Sequence, residues 1–133
     1  MRYEAHFLTL SLALLLSRAP AYAHHSFAAE YDTDKPVQIT GTVTKVEWTN
    51  PHVHFYVDVK NKQGEVANWN IELGPPLILR HLGWRQDSLK TGDQVTVEGY
   101  PAKDHSNLAN AKKVTLADGR SVFAGSSAEK RAE

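Results

Sequence analysis

The sequence predicts an all-β domain, a small barrel of short strands interrupted by one brief helix. Three observations carry this. Apolar and polar residues alternate through most of residues 37–124, turn signals punctuate the alternation, and one stretch, Leu77 to Leu82, departs to a helical spacing.

Val37, Ile39, Gly41 and Val43 alternate with polar neighbours, after which the apolar positions move to Val46 and Trp48. A bulge near Lys45 in a long, bent first strand accounts for that change of phase. Asn50-Pro51 signals a turn, and Val53, Phe55, Val57 and Val59 then alternate against His54, Tyr56 and Asp58. Asn61-Lys62-Gln63-Gly64 closes a hairpin, and the return strand turns Ala67, Trp69, Ile71 and Leu73 inward. Asn68, Asn70 and Glu72 face outward beside the polar side of strand two.

Pro75-Pro76 opens a short helix through Leu77, Ile78, Leu79 and Leu82, with Gly83 where a left-handed cap belongs. Trp84 follows and is expected to plug one end of the barrel. Leu89 to Asp93 turns into a fourth strand, Gln94 to Tyr100, in which Val95 and Val97 point inward. After a polar loop over Pro101 to Ser106, Leu108 to Leu116 reads as a strand with a phase change between Ala111 and Val114. Asp118-Gly119 then turns the chain into a short strand over Ser121 to Ala124. Trp48 and Trp69 are in phase with the core.

Three strands, a helix, two strands and a terminal extension make the layout of a small OB-fold-like Greek-key barrel with one short helix between strands 3 and 4. An SH3-like barrel or a small sandwich shares the same periodicity. In barrels of this layout the outer face of strands two and three often takes the ligand. Here that face presents His54, Tyr56, Asn68, Asn70 and Glu72.

The 133 residues suit one domain, and 15 Lys plus Arg balance 15 Asp plus Glu. That balance argues against a nucleic-acid protein held by bulk charge. No cysteine is present, which excludes disulfides, thiolate metal sites and Cys nucleophiles. Arg2, the apolar run Phe7 to Leu16 and Ala21-Tyr22-Ala23 read as a secretory signal, residues 1–23, cut after Ala23. That run is too short to span a bilayer, so the mature chain is expected to be periplasmic or secreted, with no transmembrane anchor. It would begin His24-His25-Ser26-Phe27 and carry a net charge of −1. The barrel is expected over residues 24–125 and a disordered tail over 126–133, where no apolar residue exceeds alanine.

Histidine placement points to a metal. Cleavage would expose the His24 amine beside its own imidazole, and His25 adds a second ring. His52 and His54, two apart on one side of a strand, lie about 6.5 to 7 Å apart along it. Amine and imidazole nitrogens without thiolate suit Cu(II) first and Zn(II) second. The plain alternative makes His52 and His54 a polar stripe and leaves His24 and His25 in a frayed terminus. An N-terminal histidine exposed by export is similar to the copper site of lytic polysaccharide monooxygenases and periplasmic copper-resistance proteins, a resemblance confined to His24. His81 and His105 read as surface residues. Phe27 and Tyr31 are expected to pin the N-terminal segment to the barrel.

No Gly-x-Ser-x-Gly, His-Glu-x-x-His, Walker loop or Gly-x-Gly-x-x-Gly is present, so no catalytic residue is named. Without metal, the strand-two and strand-three face would serve an adaptor for a protein, peptide or glycan in the cell envelope.

The segments HHSFAAEYD (24–32), TGTVTKVEWTNPHVHFYVDV (40–59), NWNIELGPP (68–76), LGW (82–84), SLKTGDQVTVEGYPAKD (88–104) and LADGRSVFAG (116–125) resemble a family of short exported bacterial proteins. That family is catalogued as a domain of unknown function. The resemblance covers nearly the whole mature chain and implies export and an OB-like barrel, without assigning an activity. Thr49 to His54 looks like a family motif. Pro75, where a small polar residue is expected, departs from the pattern at the helix start.

Overall fold

A computed structural model describes residues 27–126. The expected signal segment, His24 and His25 lie outside the described residues, as does the expected tail beyond Ser126. Six strands and one short helix follow in order: β1 Val37–Glu47, β2 His54–Lys60, β3 Val66–Glu72, α1 Pro76–His81, β4 Gln94–Pro101, β5 Leu108–Thr115 and β6 Ser121–Phe123.

The sheet order is β3-β2-β1-β4-β5-β6, and a further pairing of β3 with β5 closes the first five strands into a barrel. That closing contact is parallel, with Asn70 opposite Leu108, Ile71 opposite Ala109 and Glu72 opposite Asn110. All other strand pairings are antiparallel. This is the OB-fold arrangement, a five-stranded barrel with its helix between strands 3 and 4.

Period-two patterning creates the core directly. Val53, Phe55, Val57, Ile71, Leu73, Val97 and Val114 are all fully buried and pack in one cluster. The phase change in β1 is a bulge: Val43 pairs with Val57 and Lys45 with Tyr56, leaving Thr44 as the extra residue. A second bulge separates the inward residues of β5, where Glu98 faces Lys113 and Gly99 faces Ala111, so Lys112 is skipped. Gly99 is required at that point, because a Cβ there would overlap the carbonyl of Asn110.

Helix α1 is six residues long, with Pro at its first turn, and Gly83 beyond it adopts φ +96°. Only Leu79 of its apolar run is fully buried, while Leu77, Ile78 and Leu82 remain exposed. A single-turn helix has room to direct one large side chain into a barrel end. Trp84 completes that plug, 2% exposed, with its indole Nε1 donating to the Phe123 carbonyl at 2.7 Å. Trp48 and Trp69 pack against the core from its margin rather than inside it. Among the described residues the Trp48 Nε1 is a buried nitrogen without a hydrogen-bond partner.

Ser126 is only 2% exposed, its hydroxyl donating to Asn110 Oδ1 at 2.6 Å. A buried, satisfied hydroxyl packs as well as a small apolar group, which composition does not reveal.

Candidate functional site

Strand β2 continues outward alternation from the turn before it, so His52 and His54 both leave Val53 and Phe55 to the core and face out, each half-buried. Glu72 stands directly across from His54, and Asn70 across from Tyr56. The His54 Nδ1 meets Asn70 Oδ1 at 2.8 Å. An amide oxygen facing it suits the tautomer with the proton on Nδ1, in which Nε2 keeps its lone pair. His52 Nδ1 lies 3.3 Å from Glu72 Oε1, an ion-pair approach.

Glu72 gathers more than this. Its Oε2 accepts the Tyr31 hydroxyl at 2.8 Å and its Oε1 accepts Asn110 Nδ2 at 3.2 Å. Asn110 in turn accepts from Ser126, so four residues from four separated segments form one polar network around a carboxylate. Sequence reasoning missed Asn110 and Ser126. Asn110 carried a signal, a lone amide between the inward residues Ala109 and Ala111 of a strand. Ser126 carried none.

Of the expected pinning, the part that falls on described residues is the burial of Phe27 and Tyr31, while His24 and His25 lie outside them. A helical turn at 27–30 leads to Tyr31, whose amide donates to the Phe27 carbonyl at 2.8 Å and whose backbone bridges to Ala102. Phe27 is 8% and Tyr31 1% exposed, with ring centroids 5.0 Å apart, and Phe27 meets Tyr100 edge-on. The Glu30 carboxyl is held above the usual carboxylate range by partial burial, then by Glu72 and Asp104, while His54 and His52 pull it down. The turn at 27–31 is joined to the histidine end of the face through the Tyr31–Glu72 hydrogen bond, since Glu72 also faces His52.

The remainder of the expected ligand face stands apart from the histidine end. Tyr56 donates its hydroxyl to Glu47 at 3.2 Å under the ammonium of Lys45, which is 5.4 Å from the ring centre. Burial first, then the Glu47 carboxylate, raises the Tyr56 hydroxyl above the ordinary tyrosine range. Asn68 donates to Asp58 at 2.8 Å and to Thr44 at 3.2 Å. His81 is exposed on α1. His105 sits in the β4–β5 loop at φ 63°, beside Asp104, whose carboxylate accepts Ser106.

Among the described residues, no three His, Asp or Glu side chains are grouped closely enough to hold a metal ion. No helix among them is long and apolar enough to cross a membrane.

Two crystal forms of Rim1, the mitochondrial single-stranded DNA binding protein from S. cerevisiae, are similar to this chain. One has a TM-score of 0.48 at 15% identity, over 62% of this chain and 92% of that one. The other has a TM-score of 0.47 at 18% identity, over 62% and 91%. No curated protein matches. The family comparison covers residues 13–111, spanning β1 to β4, the Glu72 network up to Asn110 and the Thr49 to His54 motif, and on it the chain belongs to DUF6152, a family of unknown function.

Proposed function

We propose that the mature protein is an exported Cu(II)-binding module whose site joins His52 and His54 on the barrel face to His24 and His25 of the N-terminal segment. The observation that carries this reading is the anchoring of residues 27–31, which follow His24 and His25 in the chain, at the histidine end of the face. Phe27 and Tyr31 are buried, Tyr31 is bonded to Glu72, and Glu30 lies within the field of both rings. Phe27 is three positions after His24, an extended reach of about 10 Å.

Chemistry and charge agree with a cation. An imidazole whose Nδ1 is held by an amide oxygen or carboxylate offers Nε2 to a metal, and such outer partners orient most metal-binding histidines. The carboxylates Glu30, Glu72 and Asp104 at this end of the face favour a cation over a phosphate, offset in part by the Lys103 ammonium, which donates to the Ala28 carbonyl. Nitrogen donors without sulfur favour copper, with zinc second.

A second reading draws on the other half of the face. Tyr56, Asn68 and Asn70 present phenol and amide groups suited to a polar, uncharged partner in the envelope, a protein, peptide or glycan.

Calorimetric titration of Cu(II) and Zn(II) into the chain beginning at His24 tests the proposal. Its comparisons are a chain with one residue added before His24 and the His52→Ala, His54→Ala double variant. Tight one-to-one copper binding lost in both variants is expected. Weak binding, equal in all three, overturns the metal reading and leaves the adaptor.

A further inference from the structure

Glu72 has no stated role in the proposed site beyond neighbouring His52, yet it is the most heavily contacted polar group of the face. Its two oxygens receive different segments: Oε2 takes Tyr31 from the N-terminal turn, and Oε1 takes Asn110 from β5 and faces His52 from the β1–β2 turn. We infer that Glu72 is the positioning residue of this site, holding the His52 imidazole with Nδ1 protonated and turned inward so that Nε2 faces outward as the ligating atom. The inference deepens the copper reading and rests on it for the identity of the ligand.

The argument is one of donors and acceptors. An ionised carboxylate only accepts, so each neighbour must bring a proton. Tyr31 brings its hydroxyl, and at 1% exposure that hydroxyl has no water to turn to. Asn110 is oriented independently, because its Oδ1 is occupied by the buried Ser126 hydroxyl, which leaves Nδ2 for Glu72. The remaining group at Oε1 is His52 Nδ1 at 3.3 Å. A lone pair there would face the carboxylate's charge, so the neutral ring keeps its proton on Nδ1 and exposes Nε2.

The two face histidines are then turned the same way by different means. His54 is held by a neutral amide, Asn70, at 2.8 Å. His52 is backed by an anion, which makes its Nε2 the more electron-rich donor of the pair. The Tyr31 and Asn110 bonds keep the carboxylate from swinging away, and Glu72 is largely shielded, with 14% of its side chain exposed.

Long-range proton–nitrogen NMR of the imidazoles in the metal-free chain beginning at His24, at a pH of about 8 where free histidine is neutral, reads the tautomers directly. The expected result is the Nδ1–H form at both His52 and His54. Glu72→Ala, which removes the acceptor that faces the ring, should move the proton of His52 to Nε2 and leave His54 unchanged. The same variant should weaken Cu(II) binding by about 10- to 100-fold. An Nε2–H tautomer at His52 in the unaltered chain overturns the inference, as does a Glu72→Ala chain with the His52 tautomer unchanged. If that variant does not fold, the unaltered chain's spectrum decides alone. If the tautomers are as expected but copper does not bind, the metal reading fails while the hold of Glu72 on the ring stands.

Discussion

The Tyr31 hydroxyl donates to Glu72 Oε2 at 2.8 Å, joining residues 41 apart in the chain and fastening the N-terminal turn to the last residue of β3. The same carboxylate faces His52 through its other oxygen. Position of the N-terminal segment and orientation of a candidate ligand are thereby tied to a single group. A change at Tyr31 reaches the histidine face without touching either ring.

Tyr31→Phe removes one bond to a charged acceptor and leaves Oε2 of a mostly buried carboxylate without its donor. The expected loss is about 1.5 to 3 kcal/mol of folding stability. Urea denaturation followed by tryptophan fluorescence should show a lower midpoint with an unchanged slope. An unaltered midpoint would mean that water replaces the hydroxyl at no cost, and the fastening described above would be wrong.

The same bond has a pH signature. Burial first, then the Glu72 charge, holds the Tyr31 hydroxyl well above the ordinary tyrosine range. An unfolded tyrosine releases its proton near pH 10, so above that value the folded chain binds more protons than the unfolded one. Stability then falls with rising pH by up to about 1.4 kcal/mol per unit from this residue, and below that pH its contribution is fully present. Tyr31→Phe lacks the group, so the gap between it and the unaltered chain should narrow between about pH 9 and pH 11. Stability curves that stay parallel across that range would remove Tyr31 as the cause.

What the sequence made legible follows from periodicity. Val53, Phe55 and Val57 alternate so regularly that β2, its inner face and the outward turn of His52 and His54 needed no tertiary information. The β1 bulge was legible as a slip of phase, as was that of β5, because a bulge moves every later side chain to the other face. Helix α1 was legible in extent but not in burial, since spacing alone does not say that Leu79 points in while Leu77 and Leu82 stay out. The Glu72 network was illegible for a different reason. Glu72 and Asn110 are brought together by the β3–β5 closure, Tyr31 by its bridge to Ala102 and Ser126 by the chain beyond β6, and no local pattern encodes which residues such long-range contacts will oppose.

Gly99 shows how closely the neighbouring β4–β5 pairing is packed. Its Cα faces the backbone of Asn110 and Ala111 across the β4–β5 bulge, and a methyl group there would meet backbone rather than a movable side chain. Gly99→Ala should therefore destabilise the barrel more than Gly64→Ala. Gly64 has open space around it and loses only the conformational advantage of its φ of +85°, about 1 to 2 kcal/mol. Because Asn110 carries a bond to Glu72, Gly99→Ala should also disturb the imidazole signals of His52, which Gly64→Ala should leave in place. Equal destabilisation by the two changes would show that β4 and β5 part without cost at the bulge.

Single-stranded DNA provides the sharpest contrast between this barrel and nucleic-acid readers built on the same architecture. Such readers combine a basic groove with exposed aromatic platforms, and their affinity falls steeply with salt. On the histidine end of the present face Glu30 stands in the field of the carboxylates Glu72 and Asp104 as well as of His54 and His52, and Trp48 and Trp69 are packed against the core. Tyr56 is the aromatic on the outer side of β2, and its hydroxyl is committed to Glu47. A fluorescent oligothymidine titrated with the chain beginning at His24 should show no change in anisotropy even at low ionic strength. Binding that weakens linearly on a logarithmic salt scale would reveal a phosphate-contacting surface, and Lys or Arg side chains away from the histidine end would then be the place to look for it.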